Sequence, residues 1–201
     1  RMSYVGEYGW EIYTAAEHGP KLWDILWEAG QKHRVVPVGI GVYGTTARLE
    51  KSFRLFGNEL DTEYNPVEAG LALPRVKAQD FIGKAAYLKA REEDPITLLC
   101  TLTVDDHTDS RGEKRYMVGN FPVLTQDGKS IIDAKNRPSY VASAGYGASV
   151  GKFILLAYLP PEYAKVGNKL KVEYFCEHFT VTVEVVGSEG LYDPKHDRLK
   201  G

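Results

Sequence analysis

Cysteine is scarce. The 201 residues hold only Cys100 and Cys176. Both fall inside apolar, strand-like runs, so they are expected as buried thiols of a reducing compartment, and neither a disulfide framework nor a metal-ligand spacing can be built from them. No apolar run approaches the roughly 18 residues that a membrane span needs, and no signal peptide is visible. A large charge of one sign is also missing. With a formal net charge of −2, no global field draws the chain to nucleic acid or to an anionic membrane, so neither is expected as a partner. The expected compartment is the cytoplasm, or the mitochondrial matrix for a eukaryotic protein. What remains, 43% hydrophobic and 26% charged residues, is ordinary globular composition sufficient for one or two domains.

The stretch RMSYVGEYGWEIYT (residues 1–14) organises the reading. Val5, Trp10 and Ile12 are β-formers, so two short strand pieces are expected to flank the turn-prone Gly6-Glu7-Tyr8-Gly9. Its glycines permit close backbone approach and leave Glu7 presented between them. A carboxylate so held can accept two parallel hydrogen bonds from a ring with adjacent N–H donors. The same residues also fit a plain hairpin with a solvated Glu7, and Tyr4 fits simple strand packing.

Residues 17–32 read as an amphipathic helix, with Leu22, Ile25, Leu26 and Ala29 opposite Lys21, Asp24 and Glu28. Trp23 and Trp27, four apart on one face, are expected to pack in a core. Residues 35–38 are expected as a short apolar strand interrupted by Pro37, hence an edge or the run-in to a turn. Gly39, Gly41 and Gly44 meet the spacing of a dinucleotide turn, but no acidic residue at the required distance completes one. A helix is expected over residues 42–51, allowing an i,i+4 pair between Glu50 and Arg54 and reach from Arg48 to Ser52. A second helix over residues 81–91 is expected with Asp80 as its cap.

The charge run and proline at Glu92-Glu93-Asp94-Pro95 mark a boundary, dividing the chain into residues 1–93 and 94–201. Beyond it β character dominates. Strands are expected at residues 96–104, 121–124, 129–134, 140–144, 153–159, 170–175 and 179–186, with Gln126-Asp127-Gly128 as a hairpin turn. Short antiparallel strands at this spacing imply a barrel or sandwich. Asp106, His107 and Asp109 are residue types that can ligate metals, but a charged loop of this kind is ordinarily solvated, and no metal site is assigned.

Four stretches carry a resemblance that the periodicities do not. The opening motif is similar to the R-x-S-Y-x-G-E-x-G-[WFY]-E-[IL] signature of the glycine-cleavage T-protein (aminomethyltransferase) family. TTARLEKSFRLFGNEL (45–60), NPVEAGL (65–71) and DFIGKAA (80–86) follow in that family's order and spacing. VASAGYGASVGK (141–152), AYLPP (157–161) and DPKHDRL (193–199) extend the likeness over essentially the whole chain, in wording closest to the branch fused to flavin-dependent dimethylglycine and sarcosine dehydrogenases or oxidases.

The resemblance implies an α+β fold, with the C-terminal part of the folate-binding domain followed by an antiparallel β-barrel domain. It implies tetrahydrofolate as cofactor, with Glu7 binding the pterin and Tyr4 a second contact, and FAD in an upstream domain. The chain is read as the C-terminal fragment of a longer protein, because it opens directly in a motif that lies in the middle of the family's folate-binding region, and the family's catalytic aspartate is then expected before the present Arg1. The fragment is therefore expected to be inactive alone. The function implied is transfer of a one-carbon unit from a methylated amine such as dimethylglycine or sarcosine. A glycine-cleavage aminomethyltransferase is the alternative, disfavoured because Gly44 stands where those members place a folate-contacting arginine. A non-catalytic folate-binding module is the third reading.

Overall fold

The computed structural model describes residues 3–72 and 75–201. Its centre is one six-stranded antiparallel sheet: β1 (Leu98–Val104), β2 (Val123–Leu124), β3 (Val141–Gly147), β4 (Lys152–Leu159), β5 (Lys169–Tyr174) and β6 (Glu177–Val186), in the order β2-β5-β6-β1-β4-β3. Hydrogen bonds draw the two edges together. Val123 N–H donates to Ser139 O at 3.0 Å and Val141 N–H to Phe121 O at 2.8 Å, and Pro122 bridges Tyr140. The sheet thus curls toward closure as a barrel, which removes exposed strand edges. The expected strand at residues 129–134 is reduced to isolated bridges, Leu124 to Ser130 across the turn at Gly128 and Ile132 to Pro138 across a second turn at Asn136.

Successive side chains of a strand face opposite ways, and β4 uses both faces. Phe153, Leu155, Ala157 and Leu159 enter the barrel core with Cys100, Leu102, Val172, Phe179, Val181 and Val183. Ile154, Leu156 and Tyr158 point outward, yet they are buried against Leu49, Tyr64 and Ala69. The outer face of the barrel is therefore the floor on which residues 48–69 lie.

The earlier part of the chain is helical and largely exposed. α1 (Gly19–Gly30) carries Pro20 in its first turn, where a missing N–H costs nothing, and a left-handed Arg34 ends the 3-10 turn that follows it. Its apolar stripe buries no residue. Trp23 and Trp27 stack on each other at 6.1 Å but stay exposed, correcting the expectation that they are core. Residues 3–14 and 35–38 form no strand, since a strand needs a ladder partner and no described residue supplies one. Residues 42–51 are helical as expected: π-helical turns over Val42–Ala47 run into α2 (Arg48–Glu50). α3 (Lys84–Glu92) starts later than expected, with left-handed Gly83 at its N-cap and no side-chain cap from Asp80. A last turn, α4 (Asp197–Lys200), follows His196. No helix among the described residues is long and apolar enough to cross a membrane.

The ion pairing differs most from expectation. The helix stops at Glu50, so Glu50 and Arg54 never share a face. Instead Arg48, Glu50, Lys51, Arg54 and Glu59 are all buried. Arg48 donates to Gly44 O, Phe53 O, Glu59 Oε2 at 2.9 Å and Ser143 Oγ at 2.6 Å. Arg54 donates to the carbonyls of Ser52, Ala69 and Gly187. Glu50 Oε1 accepts from Ser149 N–H at 2.6 Å. Ser52, with φ 55°, turns its hydroxyl to Thr101 Oγ1 at 2.7 Å.

Cys100 is buried and its thiol is pushed up to about 12 by burial. Cys176 is exposed, a correction: it sits with Phe175 at positive φ in the tight turn joining β5 to β6, where side chains leave the sheet. In the loop after β1, the Asp109 carboxyl accepts from the N–H groups of Arg111 and Glu113 and from Arg115. The Glu113 N–H and then Arg115 hold it down at about 2, against the upward push of burial.

Four outcomes are expected. Glu59→Gln, which leaves Arg48 buried without its anion, lowers unfolding free energy by about 3 kcal/mol in denaturant titration. Lys89→Ala, which removes an exposed i,i+4 pair with Glu93, lowers it by less than about 0.5 kcal/mol. A thiol reagent titrates Cys176 alone in the native protein and both thiols in denaturant. The Asp109 contribution is fully present above its ordinary 3.8 and is lost as pH falls from there toward about 2. Asp109→Asn accordingly flattens the decline of the denaturation midpoint across that acid window.

Candidate functional site: an aromatic row beside Glu7

Gly6 determines where the opening loop sits. It is buried at φ 79°, and a side chain there would overlap the alkyl stem of Lys51. Only glycine satisfies both demands. The close approach inferred from the sequence is therefore real, and the neighbour is Lys51, itself fully buried. Its ammonium donates to the carbonyls of Tyr192 and Asp193 at 3.0 and 2.5 Å.

On one side of Gly6, the Tyr4 hydroxyl donates to Arg54 O at 2.8 Å. The Tyr4 ring lies 5.0 Å from that of Tyr43 and 6.1 Å from that of Phe53, nearly parallel to the latter, and Phe53 in turn stacks on His196 at 6.5 Å. Burial, only partly offset by Arg48, raises the Tyr4 pKa, so its hydroxyl keeps its proton. On the other side, Glu7 presents its carboxylate to solvent with its side chain 47% exposed, and its one ion pair among the described residues is a loose contact of 3.8 Å with Arg198. Three buried polar atoms among the described residues lack any hydrogen-bond partner: Ser3 Oγ, Glu59 Oε1 and His196 Nδ1. Ser3 adjoins Tyr4, the Glu59 charge acts on Tyr4, and His196 ends the row.

Glu7 and Tyr4 thus lie on one short loop, flanking Gly6. The sequence reading missed Tyr43, Phe53, His196 and Arg198 as their neighbours. The DPKHDRL match was the available signal for the last two, because a motif distant in sequence that recurs with the opening one implies a shared location. Gly44, in place of an arginine, offers only its carbonyl, which Arg48 Nε takes at 2.9 Å. It lines a polar pocket of about 200 Å³ with Thr45, Asn58 and Ser143, whose Oγ receives both Arg48 and Asn58. A larger cavity of about 470 Å³ lies elsewhere, among Leu71, Val76, Phe81 and Tyr87. Its charged residues, Arg75 and Lys77, are both cations, so it cannot accept from a ring N–H through a carboxylate. No cluster of metal-ligating side chains occurs among the described residues.

The comparisons with known proteins cover both parts of the chain. The GCVT N-terminal domain matches residues 1–77 and the glycine cleavage T-protein C-terminal barrel domain matches residues 99–193. An aminomethyltransferase of Desulfitobacterium hafniense is 34% identical over 173 residues, covering 86% of this chain and 43% of that protein. The mitochondrial dimethylglycine dehydrogenase of Homo sapiens is 30% identical over 207 residues, covering all of this chain and 22% of that protein. The crystal structure of glycine cleavage system aminomethyltransferase T from Bartonella henselae superposes with a TM-score of 0.67 at 19% identity, over 83% of this chain and 43% of that one, which shows the shared fold. The chain spans less than half the length of these relatives. By motif order, domain match and fold, it belongs to the glycine-cleavage T-protein (aminomethyltransferase) family.

Proposed function

We propose that the chain is the folate-binding portion of a tetrahydrofolate-dependent one-carbon transferase, coupled in its full-length form to oxidative demethylation of an N-methyl amine such as dimethylglycine or sarcosine. The observation that carries this reading is the Glu7 carboxylate, held beside an aromatic row and left without a close partner. The residues present fit a reduced pterin. Glu7 offers two oxygens to adjacent ring N–H donors, the flat faces of Tyr4 and Tyr43 suit a bicyclic ring, and the orphaned Ser3 Oγ and His196 Nδ1 suit a ligand rich in donors and acceptors. Tetrahydrofolate supplies a nucleophilic amine that takes up the one-carbon unit. This chain's own contribution is to bind and orient: Glu7 fixes the ring edge and Tyr4 braces the loop through Arg54.

An N-methyl amine oxidised to an iminium is hydrolysed by water, so its capture calls for a closed route to the folate amine. FAD, the oxidant for that step, belongs to a separate domain, and nothing on this chain is assigned to it. A general base for the folate amine is likewise assigned outside the chain, so the isolated chain is expected to bind without catalysing transfer.

A glycine-cleavage aminomethyltransferase is the second reading, favoured by the 34% identity to the Desulfitobacterium protein. Two observations weigh for the demethylating branch. Gly44 supplies no cation at the position where the glycine-cleavage members are expected to hold folate through an arginine, and the human dehydrogenase match runs the full length of the chain, against 86% for the transferase.

Replacing Glu7 by Ala in the full-length protein is expected to weaken tetrahydrofolate binding by about 1 to 3 kcal/mol, the cost of leaving charged hydrogen bonds unmade. Calorimetry decides it. Unchanged affinity removes Glu7 from the site.

A further inference from the structure

Segment 190–201 leaves the barrel and crosses back over the loop that carries Glu7. Lys51 is the hinge of that crossing. Gly6 packs on one side of its stem, and Tyr192 O and Asp193 O take its ammonium on the other, with Asp193 Oδ2 at 3.4 Å. Tyr192 N–H donates to Glu50 O at 3.0 Å. Asp193 then accepts from the N–H groups of Asp197 and Arg198 and so starts α4. His196, at φ 59°, turns the chain so that its ring lies on Phe53. Arg198 extends over the Tyr192 ring at 5.7 Å and reaches Glu7 Oε2 at 3.8 Å, and a side chain at Gly201 would run into the Tyr8 ring.

We propose that this tail is a clamp that positions the Glu7 carboxylate, with Arg198 as its positioning residue. The proposal deepens the folate reading and rests on it for its ligand. An exposed ion pair between two free side chains holds little in place, and Arg198 and Glu7 are 62% and 47% exposed. Arg198 is not free, however. Its backbone is fixed by Asp193 and its guanidinium lies over Tyr192, so the ordering that ordinarily cancels such a pair is already supplied by buried contacts at Lys51. Arg198 addresses Oε2 alone, leaving Oε1 and the remaining lone pairs open to ring donors. At 3.8 Å the guanidinium restrains the carboxylate without closing on it as a competing partner.

The test uses the full-length protein and three variants, Arg198→Ala, Arg198→Lys and Arg198→Glu, none of which alters the buried anchor. Hydrogen exchange of amides in residues 3–9 is expected to accelerate about two- to fivefold in Arg198→Ala and further in Arg198→Glu. It stays near the parent rate in Arg198→Lys, and β4 amides are unmoved throughout. Tetrahydrofolate dissociation constants are expected to rise about two- to fivefold in Arg198→Ala and to be restored in Arg198→Lys. Equal exchange of residues 3–9 in all forms overturns the clamp whatever the folate affinity does. Tighter folate binding in Arg198→Ala also overturns it, because the arginine would then be a competitor. Faster loop exchange together with undiminished folate binding by Glu7→Ala supports the clamp and sinks the folate reading, so the two failures are distinguishable.

Discussion

The structure depends on the satisfaction of charges that have been taken out of water. Within residues 48–59, three cations and two carboxylates are buried. Each would cost several kcal/mol if left unpaired. What satisfies them is largely backbone carbonyl and amide groups at fixed, distant places: Ala69, Gly187, Tyr192, Asp193 and Ser149. Such partners are available in one arrangement only. The gain is therefore in specificity more than in net stability, since apolar residues of equal volume could match the burial but would not select this docking of the segment on the barrel.

That constraint explains how much of the fold could be read from the sequence. The barrel was legible because its strands alternate, and alternation survives in β5 and β6 as one buried face and one less buried, whereas β1 is buried on both faces from Leu99 to Val104. β4 reads as an unbroken apolar run, and the reason is its double duty as core and floor. The charged segment was misread because helical periodicity was carried past Glu50. With the helix ended there, a pairing rule for one helix face no longer applies, and side chains that look solvated in sequence are drawn inward by partners more than a hundred residues away. The opening strands failed for a related reason. Propensity in residues 3–14 is real, but strand formation is a property of a pair.

The candidate site was half legible. Glu7 and the close approach at Gly6 follow from the chemistry of a carboxylate between two glycines. The identity of what approaches Gly6 does not, because nothing local to Lys51 announces that its stem is buried. Phe53 and His196 were read only as elements of two separate motifs. Their stacking is a tertiary fact that composition cannot encode. The motif order carried information that local physics did not. Stretches as far apart as residues 4–7, 48–54 and 193–198 recur together because they meet at Lys51.

The distribution of burial also says where binding energy must be spent. The barrel core and the buried charges set the global stability, whereas residues 7–14 and all of α1 contribute almost no buried side chains. Local opening free energies follow such buried contacts, so the Glu7 loop stands at the low end of the scale, held chiefly by Tyr4, Gly6 and the tail. A ligand that engages Glu7 must order this loop as well as contact it, and the ordering cost is subtracted from its affinity. Anchoring the loop at Gly6 to the buried Lys51 reduces that cost without burying Glu7. The carboxylate stays accessible while its backbone is tied to a fully buried side chain.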